Sequence, residues 1–394
     1  MSDAESDFAT VVVAYNRVDA LKKLLRSVLI ARESSGHNGH LIVSVDGGTP
    51  DVVKAAGDIL GDTGEIIARD SKLGLREHVL ACGDLTERYE NVLVLEDDLL
   101  VSPIVYDVID QVLPVVRQQP DVAAFSLYSF HYNEYAQLPL LHPDYDSDIF
   151  YARTGSSWGQ VWWREKWQDF RQWLEHDFDE SKCYRVPASV RAWPATSWKR
   201  LYNFYLSDRG HYSAVLRYSL TLNAGTEGTH HINGPAKGFG PIRTLPWSVR
   251  SEPLPSVRLD EFLEFEVHDP CDIEIATGIP ISSVEFDYYS IKDQEDIRRP
   301  YVLTSQPQAA AVRIAEFELT LGNPLYAAVS GTDGQGLSLV RREDFRATCP
   351  SLRPEGMVRN YLAWIRNMEM LRFVILESVR KLSKFWTRLV SRSS

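Results

Sequence analysis

Glu96, Asp97 and Asp98 follow directly on the apolar run NVLVL, and three adjacent carboxylates repel one another unless something positive compensates them. Such hard oxygen ligands suit a divalent cation that bridges two phosphates, for which a protein supplies one or two carboxylates while phosphate and water fill the other positions. Acids after a strand also stand simply solvated or cap the next helix, so the trio by itself fixes neither role. Its setting adds weight. Asp46 closes the run HLIVSV, and Asn16 and Arg17 close FATVVVAY, so acids, amide and base all fall at the ends of strand-like segments. Together they outline a nucleotide pocket.

The elements that must position these groups can be read from periodicity. FATVVVAY is β-branched and apolar, and VDALKKLLRSVL after it carries Leu21, Leu24, Leu25, Val28 and Leu29 at helical spacing. HLIVSVDGGTP, EIIARD and NVLVL repeat the strand signal, with LREHVLACGDLTERY as a helical pattern between the last two. Apolar strands alternating with helices predict a parallel sheet covered on both faces, and such sheets bind ligands at the carboxyl ends of their strands. From about Phe125 to Gly240 the chain becomes aromatic and loop-rich. Between roughly Pro241 and Pro350 it is acidic, with IPISSVEFDYYSI, AAAVRIAEFEL and PLYAAVSG as strand candidates.

The chain has 394 residues, 44% apolar and 24% charged, which suits a globular protein of more than one domain and excludes only disorder. MSDAESDFAT has no apolar core of a signal peptide, and no run of about 18 apolar residues occurs, so export and membrane spanning are not expected. Cys82, Cys183, Cys271 and Cys349 are too scattered for a metal clip or a disulfide framework and fit a reducing cytoplasm. A net charge of −12 argues against nucleic-acid binding. The tail differs: from Met357 onward it has eight basic and two acidic residues.

VVVAYNRVDALKKLLRSVL, LIVSVDGG, VLVLEDDLLVSP, RTGSSWGQVWWREKW and LNAGTEGTHH, in that order, resemble the GT-A fold nucleotide-sugar glycosyltransferases. The N-acetylglucosaminyltransferase I type and bacterial family 2-like glycosyltransferases are the nearest in look. The resemblance covers roughly residues 8 to 240. It implies an α/β fold, a Rossmann-like mixed and mainly parallel sheet with helices on both faces, divided into a nucleotide-binding half (8–125) and an acceptor half (126–240). A β-rich accessory region (241–355) and a basic amphipathic helix (356–394) would follow. In residue terms the resemblance makes Glu96-Asp97-Asp98 a DXD-type motif, with Asp98 the direct ligand of Mn2+ or Mg2+ and Asp97 or Glu96 near the ribose. Asp46 would accept from a uracil N–H, which implies a UDP-sugar donor. Ala14, Tyr15, Asn16 and Arg17 would wall the base and reach the phosphates, with Arg76 as a further phosphate contact. Trp158 and Gly159 would belong to the loop closing on the donor sugar. Thr229 and His230 would lie over the diphosphate, His230 as metal ligand or phosphate donor.

An inverting transfer needs a carboxylate to take the proton from the acceptor hydroxyl. The resemblance places an acid directly before a Trp, but WPATSWKRLY has Ser197 before Trp198, so Glu227 is the expected base, with Asp148 and Glu165 behind it. A retaining mechanism is the alternative. The tail reads as an interfacial helix attracted to anionic lipid, which would hold the protein peripherally on the inner face of the cell membrane. The expected acceptor is then a hydroxyl of a glycan or lipid-linked glycan, in bacterial surface polysaccharide synthesis. Two rival readings are a sugar nucleotidyltransferase, for which VAYNRVDAL lacks a Gly-rich basic loop, and a non-catalytic scaffold, which has no need of the acids.

Overall fold

The computed structural model describes residues 7–136, 138–140, 147–182, 185–225, 242–252, 258–266, 274, 277–319, 334–347, 375 and 378. The amino-terminal part alternates strictly: β1 (Phe8–Ala14), α1 (Val18–Ser35), β2 (His40–Val45), α2 (Pro50–Leu60), β3 (Glu65–Ala68), α3 (Leu75–Gly83) and β4 (Asn91–Glu96). Then come β5 (Leu99–Val101), α4 (Val105–Val116), β6 (Val122–Ser126), and the short strands β7 (Tyr132–Asn133) and β8 (Leu138–Pro139). β9 (Ile149–Ala152), β10 (Gln160–Trp163), α5 (Arg164–Gln172), α6 (Ala188–Arg191), α7 (Trp198–Arg209), β11 (Tyr212–Leu216) and β12 (Thr221–Asn223) complete the first part. β13 (Arg258–Leu259), β14 (Phe265–Glu266), β15 (Val284–Asp287), β16 (Tyr301–Thr304), β17 (Arg313–Glu318) and β18 (Gly336–Arg341) follow.

Ten strands form one mixed sheet in the order β14-β13-β9-β11-β6-β10-β4-β1-β2-β3. Its β3-β2-β1-β4 half is wholly parallel. Every residue of β1 is buried, which is why its sequence is a continuous apolar run and not an alternation. Alternate side chains enter two cores. Val12, Leu93 and Leu95 join Leu21, Leu25 and Val28 of α1, Val52 of α2 and Ile109 of α4 on one face. Val11, Val13, Val92 and Val94 join α3, α5 and α7 on the other, where Trp162, Trp167, Trp198, Phe170 and Tyr202 interlock edge to face. Helices thus cover both faces.

β10 runs antiparallel to both β4 and β6, and β11 is parallel to β6. The carboxyl ends of β1, β2, β4, β6 and β11 and the start of β10 therefore share one edge. β12 pairs with β5 just beyond β4, bringing residues 221–225 to that same edge. Glu165 follows the end of β10 and lies at the opposite edge, which corrects its standing as a candidate base.

Part of the expected accessory region belongs to the main sheet: β13 pairs parallel with β9, and β14 pairs with β13. The second sheet, β15-β16-β18-β17, packs Phe286, Leu303, Phe317 and Leu339 against Phe150, Ala152 and Val215 of the first. β15 and β17 lie within the segments read as strands from the sequence; β16 and β18 carried no such signal. PLYAAVSG and, apart from Ile375 and Ser378, the expected helix 356–394 lie outside the described residues. No helix among the described residues is long and apolar enough to cross a membrane.

A buried ionic cluster joins the two sheets. Lys292, 1% exposed, donates to Asp260 and, at 2.9 Å, to Glu285, and Arg185 reaches Asp260, Glu261 and Glu285. Burial would raise the Glu285 carboxyl, but Lys292 and Arg185 outweigh it and pull the group down to about 2. Removing one partner of such a cluster leaves uncompensated buried charge. Lys292→Met is therefore expected to lower unfolding free energy by about 3–5 kcal/mol in denaturant titration; a loss below about 1 kcal/mol would contradict this role.

Candidate active site

Arg17 is the third residue after β1 and stands at the N-cap of α1 without making a side-chain capping hydrogen bond there. Ser, Thr, Asp or Asn would cap better. Its side chain is used elsewhere: one guanidinium nitrogen donates to Asp98 Oδ2 at 2.8 Å and the other to Asp97 Oδ1. The planar fork spans two neighbouring carboxylates that lie one strand away, on the loop after β4. The positive charge that the sequence left unassigned is thus Arg17, itself only 30% exposed at its side chain.

The three acids have different surroundings. Asp97 is 2% exposed; burial raises its carboxyl and Arg17 opposes this, leaving it at about 6. Glu96 is partly buried on the α7 face of the sheet; burial, then the neighbouring Asp98, push its carboxyl up to about 8, with the nearby Trp198 indole opposing them. Asp98 is 6% exposed, and its Oδ1 is buried with no hydrogen-bond partner. Its backbone oxygen accepts from Ala224 N at 2.8 Å, so residues 224 and 225 lie against it. A Cβ on Gly225 would stand 3.0 Å from both Asp98 Cβ and Oδ2, so any side chain there would press on Asp98.

That orphaned oxygen tests whether a cation fits. Among the described residues no group of three or more His, Cys, Asp or Glu is assembled to hold a metal. One bare carboxylate oxygen, with a second carboxylate beside it, fits a cation whose other positions are filled by phosphate and water. Mn2+ or Mg2+ held by Asp98 matches this donor set.

Ala14, Tyr15 and Asn16 lead from β1 to Arg17. Ala14 is buried in the sheet, whereas Tyr15 is 38% exposed at the rim. Lys72 covers it, with Nζ 3.0 Å from the phenol oxygen and 4.3 Å from the ring centroid. Asp46 is 3% exposed, and its two oxygens accept from the Leu73 and Gly74 amides at 2.6 and 3.0 Å. It ties the 70–74 loop to the end of β2, so a base would meet only its remaining lone pairs. Arg76 donates to Glu77 and to the Ala195 carbonyl, joining α3 to the loop before α7.

Trp158 and Gly159 arrive at this edge at the start of β10. Trp158 packs edge-on against Tyr128 at 4.4 Å. Gly159 has φ +94°, and a Cβ there would meet Thr221 Cγ2 at 3.0 Å and Leu95 Cδ2 at 3.2 Å, so backbone runs directly over the end of β4. Ser197 takes the place of the expected acid because it caps α7, its hydroxyl accepting from Arg200 N at 3.3 Å. Asp148 is committed to Arg250 and Arg217. Glu227, Thr229 and His230 lie outside the described residues. Trp198, Lys72 and Gly225 are site residues that sequence reasoning missed; WKRLY after a Ser cap was a signal for Trp198, and nothing local marked the other two.

No known family profile and no curated protein matches the chain. Among solved structures it is similar to a mannosyltransferase from Pyrobaculum calidifontis in complex with GDP-Man and Mn2+, with 12% identity and a TM-score of 0.30 over 44% of this chain and 47% of that one. The chain thus spans less than half the length of that protein.

Beneath the site, His78 of α3 is 2% exposed with Nε2 2.8 Å from Ser44 Oγ of β2. Burial lowers its imidazole from the ordinary 6.5 to about 4, Arg69 adding to this and Asp46 opposing it. Because the unfolded chain takes up this proton first, the contribution is whole above pH 6.5 and is lost as pH falls toward 4. The stability advantage of the wild type over His78→Gln should shrink across that window by roughly 3 kcal/mol in denaturant titrations. A pH-independent difference would contradict it.

Proposed function

We propose that the protein is a metal-dependent glycosyltransferase that moves a sugar from a nucleotide sugar to a hydroxyl group. The observation that carries this reading is Asp98, whose one bare, buried oxygen sits at the carboxyl ends of β1 and β4 beside a basic fork. In an open sheet of this kind that edge is where nucleotides bind. The order of motifs in the sequence supports the same reading.

In this account Asp98 would hold the cation, with Asp97 next to it, and the cation when bound would offset charge building on the leaving diphosphate. Arg17 supplies a permanent positive charge at the same end. Tyr15 and the Lys72 side chain that covers it form a wall for the base. Trp158, backed by Tyr128, and the side-chain-free backbone of Gly159 border the donor sugar on the other side. Following the resemblance, the donor is a UDP-sugar and the acceptor a glycan or lipid-linked glycan, with the proton taken by Glu227.

A panel of UDP- and GDP-sugars scored for binding and slow hydrolysis, with and without Mn2+ or Mg2+, tests the reading. A UDP-sugar should bind only with metal, and Asp98→Asn should lower turnover by roughly 100-fold or more. Metal-independent binding of another nucleotide class, or no binding, would overturn it. The basic, apolar-faced tail is proposed to attach the protein to anionic membrane. Deleting residues 357–394 should release it from anionic vesicles, and unchanged binding would refute the attachment.

A further inference from the structure

The two oxygens of Asp98 are used unequally. Oδ2 accepts from Arg17, whereas Oδ1 is buried with no partner. A divalent cation brought to that carboxylate would meet a guanidinium already seated across Asp97 and Asp98, and the two positive charges would repel at close range in a partly desolvated place. Without any cation, the acids would repel one another instead. The site therefore favours one positive partner at a time. Arg17 is also placed where it can move, its side chain being 30% exposed at the rim.

We propose that Arg17 is a displaceable counter-ion, seated on Asp97 and Asp98 while the site is empty and released to the diphosphate when metal and nucleotide arrive. The inference rests on the reading of Asp98 as the metal-holding carboxylate. It makes metal and guanidinium competitors for the acids, and guanidinium and diphosphate partners once the metal is bound. Metal alone binds weakly because it must displace Arg17; nucleotide and metal together bind well because the displaced charge finds phosphate oxygens.

The two halves predict opposite signs for one variant. With Mn2+ alone, followed through the electron paramagnetic resonance signal of free Mn2+, Arg17→Gln should bind the ion on the order of tenfold more tightly than wild type. Adding Asp98→Asn should abolish the gain. At saturating Mn2+, Arg17→Gln should bind UDP or GDP more weakly than wild type. Arg17→Lys keeps a charge but cannot span both acids, so it should shift both affinities in the same directions by smaller factors; it serves if Arg17→Gln folds poorly. A purely structural Arg17 would weaken both affinities together, and that result, or no change in either, overturns the proposal. If Mn2+ affinity is equal in wild type and Arg17→Gln and falls in Asp98→Asn, the metal reading stands and the displacement fails. If no variant binds Mn2+ with or without nucleotide, both fail.

Discussion

The guanidinium of Arg17 spread across Asp97 and Asp98 is the interaction on which the carboxyl edge of the sheet depends. A buried strand that ends in three acids needs a positive charge close by, and the chain supplies it from the adjacent parallel strand, three residues past the end of β1. Register decides this: Val13 pairs with Glu96, so the residues after each strand emerge side by side. Arg17 meets that need at the expense of an ordinary helix cap, and α1 is instead held by Leu21, Leu24, Leu25 and Val28 in the core. The arrangement leaves one oxygen of Asp98 without a partner, and the chemistry proposed for the protein grows from that oxygen.

Two ionic systems in the molecule solve the same problem differently. The cluster of Lys292 and Arg185 with Asp260, Glu261 and Glu285 is sealed between the sheets and has several bases among its acids, so it fixes how the second sheet packs on the first. Among the described residues, the rim system sets Arg17 against Asp97 and Asp98 and is partly open. Buried multiple pairing of the first kind locks geometry; a half-exposed fork over an under-satisfied carboxylate can be exchanged for another cation.

What was legible in the sequence follows from how local the causes are. The parallel half could be read because β1, β2 and β4 are buried on both faces and so run apolar without interruption, while α1 shows its core stripe at helical spacing. Asp46, Arg17 and the acids were placed at one edge by strand ends alone. The Arg17 bridge was not legible, because it depends on the pairing of two strands about 80 residues apart in the chain. Asp46 illustrates the same limit: its position was right, but its occupation by the Leu73 and Gly74 amides is a loop contact. β16 and β18 were missed since short strands between Pro, Gly and charged residues give little periodic signal, and their neighbours, not their sequences, hold them in the second sheet.

The most direct test of the central claim is diffraction from crystals grown with Mn2+ and UDP, using the anomalous signal of the metal. The account predicts a manganese peak at Asp98 Oδ1, with diphosphate on the far side of the ion and Arg17 moved off Asp98. A manganese or nucleotide position away from Asp98, with Arg17 still bridging Asp97 and Asp98, would contradict it.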